Sequence, residues 1–580
     1  MVFVRQKLLT MRELVTIQVG TYANFIGSHF WNFQDELLGL AEEPNRDPLF
    51  KSSYLDMDVL YRTGETQKGI PTYCPRLLSV GFQGSLGSLN LSGFLYDHIQ
   101  SPNPDVLTWT GNVARLVAAP HPKNLFLQSL YEEEHGKLDA SEDDPASSLT
   151  KSIQDIARVE CLENDVKFWT DFSKVQYHPQ SLYELNNSWT DINKFDNYGI
   201  GKDVLSGGLL LEEMNERLRF FIEECDHIQG IQFVVDDFGG FSAAAVEILE
   251  DIADEYTNTP VLLYSVRDPC VYANAINQKS IARALHDAVS FSRLSSYCHL
   301  MIPVGLPSVR RAFSPLLLVE DHKPYHTSAV YASSMHSISI PFRMQMPGPA
   351  TSSTFTSGAM DVGEIVHTLS GQSRQNMVTS LAIAMPPPSL IEENNQGTIL
   401  RNLRSLTPEL KEDHEDLLAT ESLVVQGAFY SDGHRATLSQ VEDSLCAAYQ
   451  REPSKPLFSR LSVALCPLPV PLPFPSIFGS KIGQHGELEY DAVQGVRPRG
   501  SLDVESIPMA TRLRSSCAIV PFLEKRSGDL RKYGIARGAP GAGLLCDWGF
   551  EKDEVDDMGE HLVKLLTAFD PHSGTASDSD

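Results

Sequence analysis

The sequence predicts an α/β fold in two or three domains, and three observations carry that expectation. A short β-run, Glu13 to Val19, meets Gly20 and is followed from Asn24 to Trp31 by the opening of a helix. Apolar residues recur at helical spacing in Ile153, Ile156, Val159, Leu162 and Val166, and again in Leu211, Met214, Leu218, Phe221 and Cys225, so each helix has one face to bury. At 580 residues the chain is too long for one core, and at 42% hydrophobic it is apolar enough for packed domains.

Each element follows in order. Met1 to Thr10 carry Arg5 and Lys7 among apolar residues, are too short for a transit peptide, and read as a small extension before Met11. After the first strand, Gly20 permits a sharp turn, and the amides that open the next helix can face a phosphate. Glu132 to Asp144 has no apolar periodicity and reads as an acidic inserted loop. The two helical stripes that follow are expected to be core faces. Around Pro347 to Ser357, and at Pro386-Pro-Pro388, composition shifts toward loops. The most apolar stretch, Leu461 to Phe478, contains Pro467-Leu-Pro-Val-Pro-Leu-Pro-Phe-Pro475, a proline density that no helix or membrane span tolerates. That segment must be extended, either as a rigid arm packed on its own domain or as an arm that docks a partner. The acidic last thirty residues are expected to be disordered beyond a helix near Glu560 to Phe569.

Composition excludes several functions. With 75 acidic and 47 basic residues, the net charge of −28 opposes nucleic acid and anionic lipid over most of the surface and suits basic partners. The nine cysteines are scattered without close pairs, which argues against a zinc site or a disulfide framework and for reduced thiols in the cytosol. No serine elbow, P-loop lysine or paired metal-binding histidines stand at the required spacings. His322, His326 and His336 are the nearest approach, and they do not place three ligands together.

Several ordered motifs point further. Met11-Arg-Glu-Leu-Val-Thr-Ile-Gln-Val-Gly20 and the residues to Trp31 resemble the opening strand, nucleotide loop and helix of a tubulin chain, with Gln18 and Gly20 as its glutamine and glycine. Thr72-Tyr-Cys-Pro-Arg76 leads to a second loop, Gly84-Ser-Leu-Gly-Ser-Leu89, and Thr108-Trp-Thr-Gly111 follows. Cys225 to Gly240 resembles the tubulin strand that enters the glycine-rich phosphate loop, and Leu406-Thr-Pro-Glu-Leu410 a helix start of the second domain. Together, over roughly residues 11 to 450, these are similar to the Misato family of tubulin-like proteins. The resemblance implies a tubulin-like, Rossmann-type domain over 11–315, a smaller α+β second domain over 316–450, and a proline-rich, acidic C-terminal region over 451–580.

The same resemblance implies GTP as the ligand of any surviving pocket, through Gly20, Asn24, Gly239, Gly240, Ser242, Asn277 near the ribose and Tyr297 stacked on the base, with no metal ligand and no catalytic residue. Departures from the pattern argue against turnover. Phe241 brings a ring to the place of a phosphate, and Gly81 and Gln83 stand where acidic residues lie near magnesium. Met301 replaces the asparagine that reads the base edge, and the stretch Ser357 to Val366 offers Asp361 and Glu364 without an asparagine-x-aspartate pair. The expectation is a non-enzymatic protein, with vestigial GTP binding left open, that does not polymerise by nucleotide turnover. For the family this implies mitochondrial distribution, morphology and inheritance, from the cytosol or peripherally on the mitochondrial outer surface through protein partners. The alternatives are tubulin assembly with the chaperonin system, spindle or microtubule regulation, or a weak GTPase.

Overall fold

A computed structural model describes residues 12–42, 48–51, 55–65, 71–89, 121–134, 145–185, 195–205, 208–275, 281–344, 355–370, 377–390, 399–411, 416–431, 433–452, 455–489 and 497–569. Among them six parallel strands form the first sheet: β1 (Glu13–Val19), β2 (Leu77–Phe82), β3 (Leu182–Leu185), β4 (Ile228–Asp236), β5 (Val261–Val266) and β6 (Leu300–Val304). Their order is β3-β2-β1-β4-β5-β6, the doubly wound order of Rossmann-type folds. β1 is central and buried along its whole length, as parallel strands covered on both faces are. Its Val15, Ile17 and Val19 point into one core, while Leu14 belongs to the other.

Helices cover both faces. α1 (Thr21–Glu42) packs on one side, and on the other lie α2 (Tyr198–Leu205), α3 (Gly240–Glu255) and α4 (Ile281–Ser296). α5 (Pro324–Arg343) begins with a proline at its first turn, where a missing N–H costs nothing, and is buried from Tyr325 to Arg343. Its interior serines return their hydroxyls to the helix, Ser333 to the Ala329 carbonyl at 2.8 Å and Ser334 to that of Tyr331 at 2.6 Å. Arg343, fully buried, donates to Gln34 Oε1 at 2.5 Å and so ties α5 to α1.

The second sheet consists of β7 (Thr356–Ser357), β8 (Ser380–Ala384), β9 (Arg404–Ser405), β10 (Thr420–Gln426), β11 (Phe458–Ala464) and β12 (Met509–Ser515), in the order β9-β8-β12-β10-β11-β7. β12 pairs antiparallel with both β8 and β10 and sits inside the sheet. A domain boundary at 450 therefore does not describe the molecule, because β11 and β12 complete the second sheet. The C-terminal helices α6 (Val520–Leu530) and α7 (Lys552–Thr567) return to the first sheet, where Phe522, Leu523, Leu562 and Leu565 join the core of α3 and α4.

Of the two readings of the proline segment the packed one holds, and the expectation for one helical stripe changes. The proline segment is core: Leu468, Val470, Phe474, Ile477 and Phe478 are buried, Phe474 lies 5.9 Å from the Phe33 ring, and the Tyr325 hydroxyl donates to the Pro473 carbonyl. It is the packed arm and not a docking arm. Of the stripe on the helix Pro145–Asp165, Leu162 is buried but Ile153 and Ile156 are 61% and 47% exposed, because only the C-terminal part of that helix reaches the core. The second stripe does bury Met214, Leu218 and Phe221. Residues 1–11, 135–144 and 570–580 lie outside the described residues. No helix among the described residues is long and apolar enough to cross a membrane.

Candidate functional site

In an open α/β sheet the ligand crevice lies at the carboxyl ends of the strands, where strand order reverses. Here the reversal falls between β1 and β4, and a cavity of about 680 Å³ opens there, lined from the N-terminal domain by Tyr22, Phe82, Asp236 and Phe241 and from the C-terminal region by Leu544 and Trp548.

The first loop is held by a carboxylate. Gly20 has φ of +120° and donates its N–H to the Val80 carbonyl at 3.0 Å, which turns the chain from β1 into α1. Asp236, the last residue of β4, accepts from the Tyr22 N–H at 3.0 Å and the Ala23 N–H at 2.7 Å. A Cβ on Gly20 would lie 2.4 Å from the Asp236 Cγ, so only glycine admits that carboxylate. Burial pushes the Asp236 carboxyl up to about 7, against the two amide bonds that favour its anion.

The glycine loop after β4 is likewise occupied. Gly239 donates its N–H to His286 Nε2 at 2.9 Å, and Gly240 donates to the Phe195 carbonyl at 2.7 Å. A Cβ on Gly240 would fall 2.6 Å from the Phe195 ring, so this glycine makes room for a side chain of the protein itself. Ser242 is buried, donates to the Gly239 carbonyl at 2.9 Å and does not itself line the cavity. Phe241 does stand in the cavity wall, with ring centroids 4.5 Å from Phe82 and 5.1 Å from Phe195.

The second loop repeats the device. Glu184 Oε1, in β3, accepts from the Gly84 N–H at 2.7 Å, and the backbones of Ser85 and Leu86 also bond its carboxylate. Gly81 is buried near the end of β2 and Gln83 is exposed, and neither carries a carboxylate.

Charges of both signs line the cavity. Arg267 is buried and neutralised by Asp237 at 2.7 Å and Asp287 at 2.9 Å. Burial alone would raise the Asp287 carboxyl, but the guanidiniums of Arg267 and Arg526 bring it down to about 2. Arg283 donates to the Val271 carbonyl at 3.0 Å and stacks over Phe238, with its guanidinium carbon 5.3 Å from the ring centroid. Asp196, Asp236 and Asp268 also line the space.

Residues 12–132 match the Misato Segment II tubulin-like domain, and residues 159–344 match the Tubulin domain. Protein misato homolog 1 of Mus musculus is 29% identical over 582 residues, spanning 96% of this chain and 98% of that protein. The Homo sapiens protein of the same name is 27% identical over 593 residues, with the same coverage. Protein dml-1 of Neurospora crassa is 26% identical over 425 residues, 71% of this chain and 70% of its own. The chain belongs to the Misato family of tubulin-like proteins.

Within this Misato-family site the structure gathers some of the sequence-predicted residues and separates others. Gly20, Gly239 and Gly240 meet at the switch point. Asn24 lies beside them but spans α1 and β2, donating to the Val80 carbonyl at 3.2 Å and accepting from the Ser79 hydroxyl at 2.9 Å. Tyr297 does not belong to the cavity. It shortly precedes β6, so it stands at the amino end of a parallel strand, opposite the crevice, beneath the Arg293 guanidinium at 5.4 Å. Asn277 lies outside the described residues. Asp361 serves the local backbone instead, accepting from the Glu364 N–H at 2.7 Å and from Arg12 at 2.5 Å, and so fixes the start of the helix Val362–Ser370.

Sequence reasoning passed over Asp236, Glu184, His286, Phe195 and Trp548. Asp236 had a signal, an acidic pair at the end of a strand shortly before two glycines. Trp548 had none, because only the return of the C-terminal region to the first sheet brings it to the cavity.

Proposed function

We propose that this protein is a tubulin-like body that does not hydrolyse GTP and that acts in mitochondrial distribution, morphology and inheritance. One observation supports the non-hydrolysing reading: the Tyr22, Ala23, Gly84, Gly239 and Gly240 amides, which line the phosphate loops, are bonded to Asp236, Glu184, His286 and the Phe195 carbonyl. Phosphoryl transfer depends on such donors and on a metal to neutralise charge developing on the phosphates. Here the donors serve the protein, Gly81 and Gln83 supply no carboxylate, and Asp196, Asp236 and Asp268 line the cavity beside Arg267 and Arg283.

The mitochondrial reading rests on the family resemblance. With a net charge of −28, the surface disfavours anionic lipid, so we place a mainly cytosolic pool with a salt-extractable fraction held on mitochondria by protein partners. Removal of the protein from cells tests this. Mitochondria should redistribute while the microtubule array persists; normal mitochondria with a collapsed array would assign the protein to tubulin assembly instead.

A further inference from the structure

We infer that Asp236 and Glu184 are built-in replacements for the anion that tubulin-like loops otherwise receive from a ligand, so that this body folds around its own carboxylates. The inference rests on the non-hydrolysing reading and adds the residues that enforce it.

The N-terminus of a helix attracts an anion because its first amides lack partners and its dipole is positive there. α1 has no acidic residue in its first turn. Its acceptor comes from 214 residues away, when β4 places the two Asp236 oxygens on successive amides, at 3.0 Å to Tyr22 and 2.7 Å to Ala23. Such a bidentate grip is what a phosphate would make at the same place. The glycine at 20 is required by the carboxylate itself, since any Cβ there would overlap it. Independently, Glu184 reaches from β3 across to the second loop and holds the Gly84 amide at 2.7 Å, with Ser85 and Leu86 beside it. Two phosphate loops, on separate strands, thus receive a carboxylate from the neighbouring strand's end. A phosphate entering the first loop must displace Asp236 or sit against it, and above about pH 7, where that carboxyl is ionised, like charges at contact distance repel strongly in a partly desolvated cavity.

The test is chemical rescue in the full-length protein. Asp236→Gly removes the internal acceptors and leaves space; Asp236→Asn keeps the bulk and one acceptor oxygen, without the charge and with an NH2 in place of the second acceptor. In thermal melts at about pH 8, where the wild-type Asp236 carboxyl is ionised, with inorganic phosphate matched by sodium chloride at equal ionic strength, Asp236→Gly should melt lower than the wild type and recover by about 2 °C or more at saturating phosphate. The wild type should show no such shift, and Asp236→Asn, whose side chain still fills the space, a smaller one than Asp236→Gly. Equal phosphate shifts in wild type and Asp236→Gly, or none in the glycine variant, would overturn the inference. Should Asp236→Gly fail to fold, Glu184→Ala on the open second loop gives the same test: phosphate should slow hydrogen exchange at residues 84–86 in that variant only, and unchanged exchange counts against the inference. GTP turnover by the wild type would overturn the non-hydrolysing reading while leaving these rescue results to stand by themselves.

Discussion

Asp236 shows what a single side chain settles in this molecule. Its carboxyl is pushed up to about 7 from an ordinary 3.8, with burial the largest cause and the negative fields of Asp237 and Asp268 adding to it. Between these values the native state holds a proton that the unfolded chain has released. Stability from this group is therefore full below about pH 4 and is lost as pH rises through about 7. In urea titrations, Asp236→Asn should flatten that part of the pH dependence, whereas an unchanged slope between pH 4 and 7 would mean that the carboxyl is not buried as described. The charge on this residue was visible in the sequence; its reach was not. Two amides on α1 select it through a contact across the sheet, which no local pattern encodes.

At the scale of elements, the proline segment decides how the two halves are joined. Composition alone excludes a helix, because five prolines leave no helical alternative, but not the turn that the segment makes where the Phe474 N–H donates to the Pro471 carbonyl at 2.9 Å. Whether it packs or projects depends on what lies opposite, and α1 and α5 present His29, Phe33 and Tyr325 to it. Phe474→Ala should cost about 3–5 kcal/mol in chemical denaturation, as for other buried aromatic truncations; a loss below about 1 kcal/mol would indicate a segment that is not core. The second sheet was less legible for a similar reason. β11 and β12 lie beyond the stretch in which the motifs fall, and β12 enters between two strands that precede it by long sequence intervals. The stripe on Pro145–Asp165 misleads in the opposite way: its period is helical, but Ile153 and Ile156 extend past the surface that buries Leu162.

For the whole molecule, the N-terminal sheet was readable because strand, glycine and helix occur together in short spans, while the closure of the cavity was not, because Trp548 arrives from the other end of the chain. Trp548 packs 5.9 Å from Tyr198 and 6.2 Å from His286, and α7 buries Leu562 in the same core as α4. The C-terminal region is thus part of the tubulin-like body, and it walls a cavity whose phosphate-loop amides are bonded to the protein's own groups. The nucleotide content of the purified, undialysed full-length protein, released by denaturation and measured by mass spectrometry, tests that account most directly. Guanine nucleotide should be present far below one equivalent per chain; close to one equivalent of GTP or GDP would contradict it.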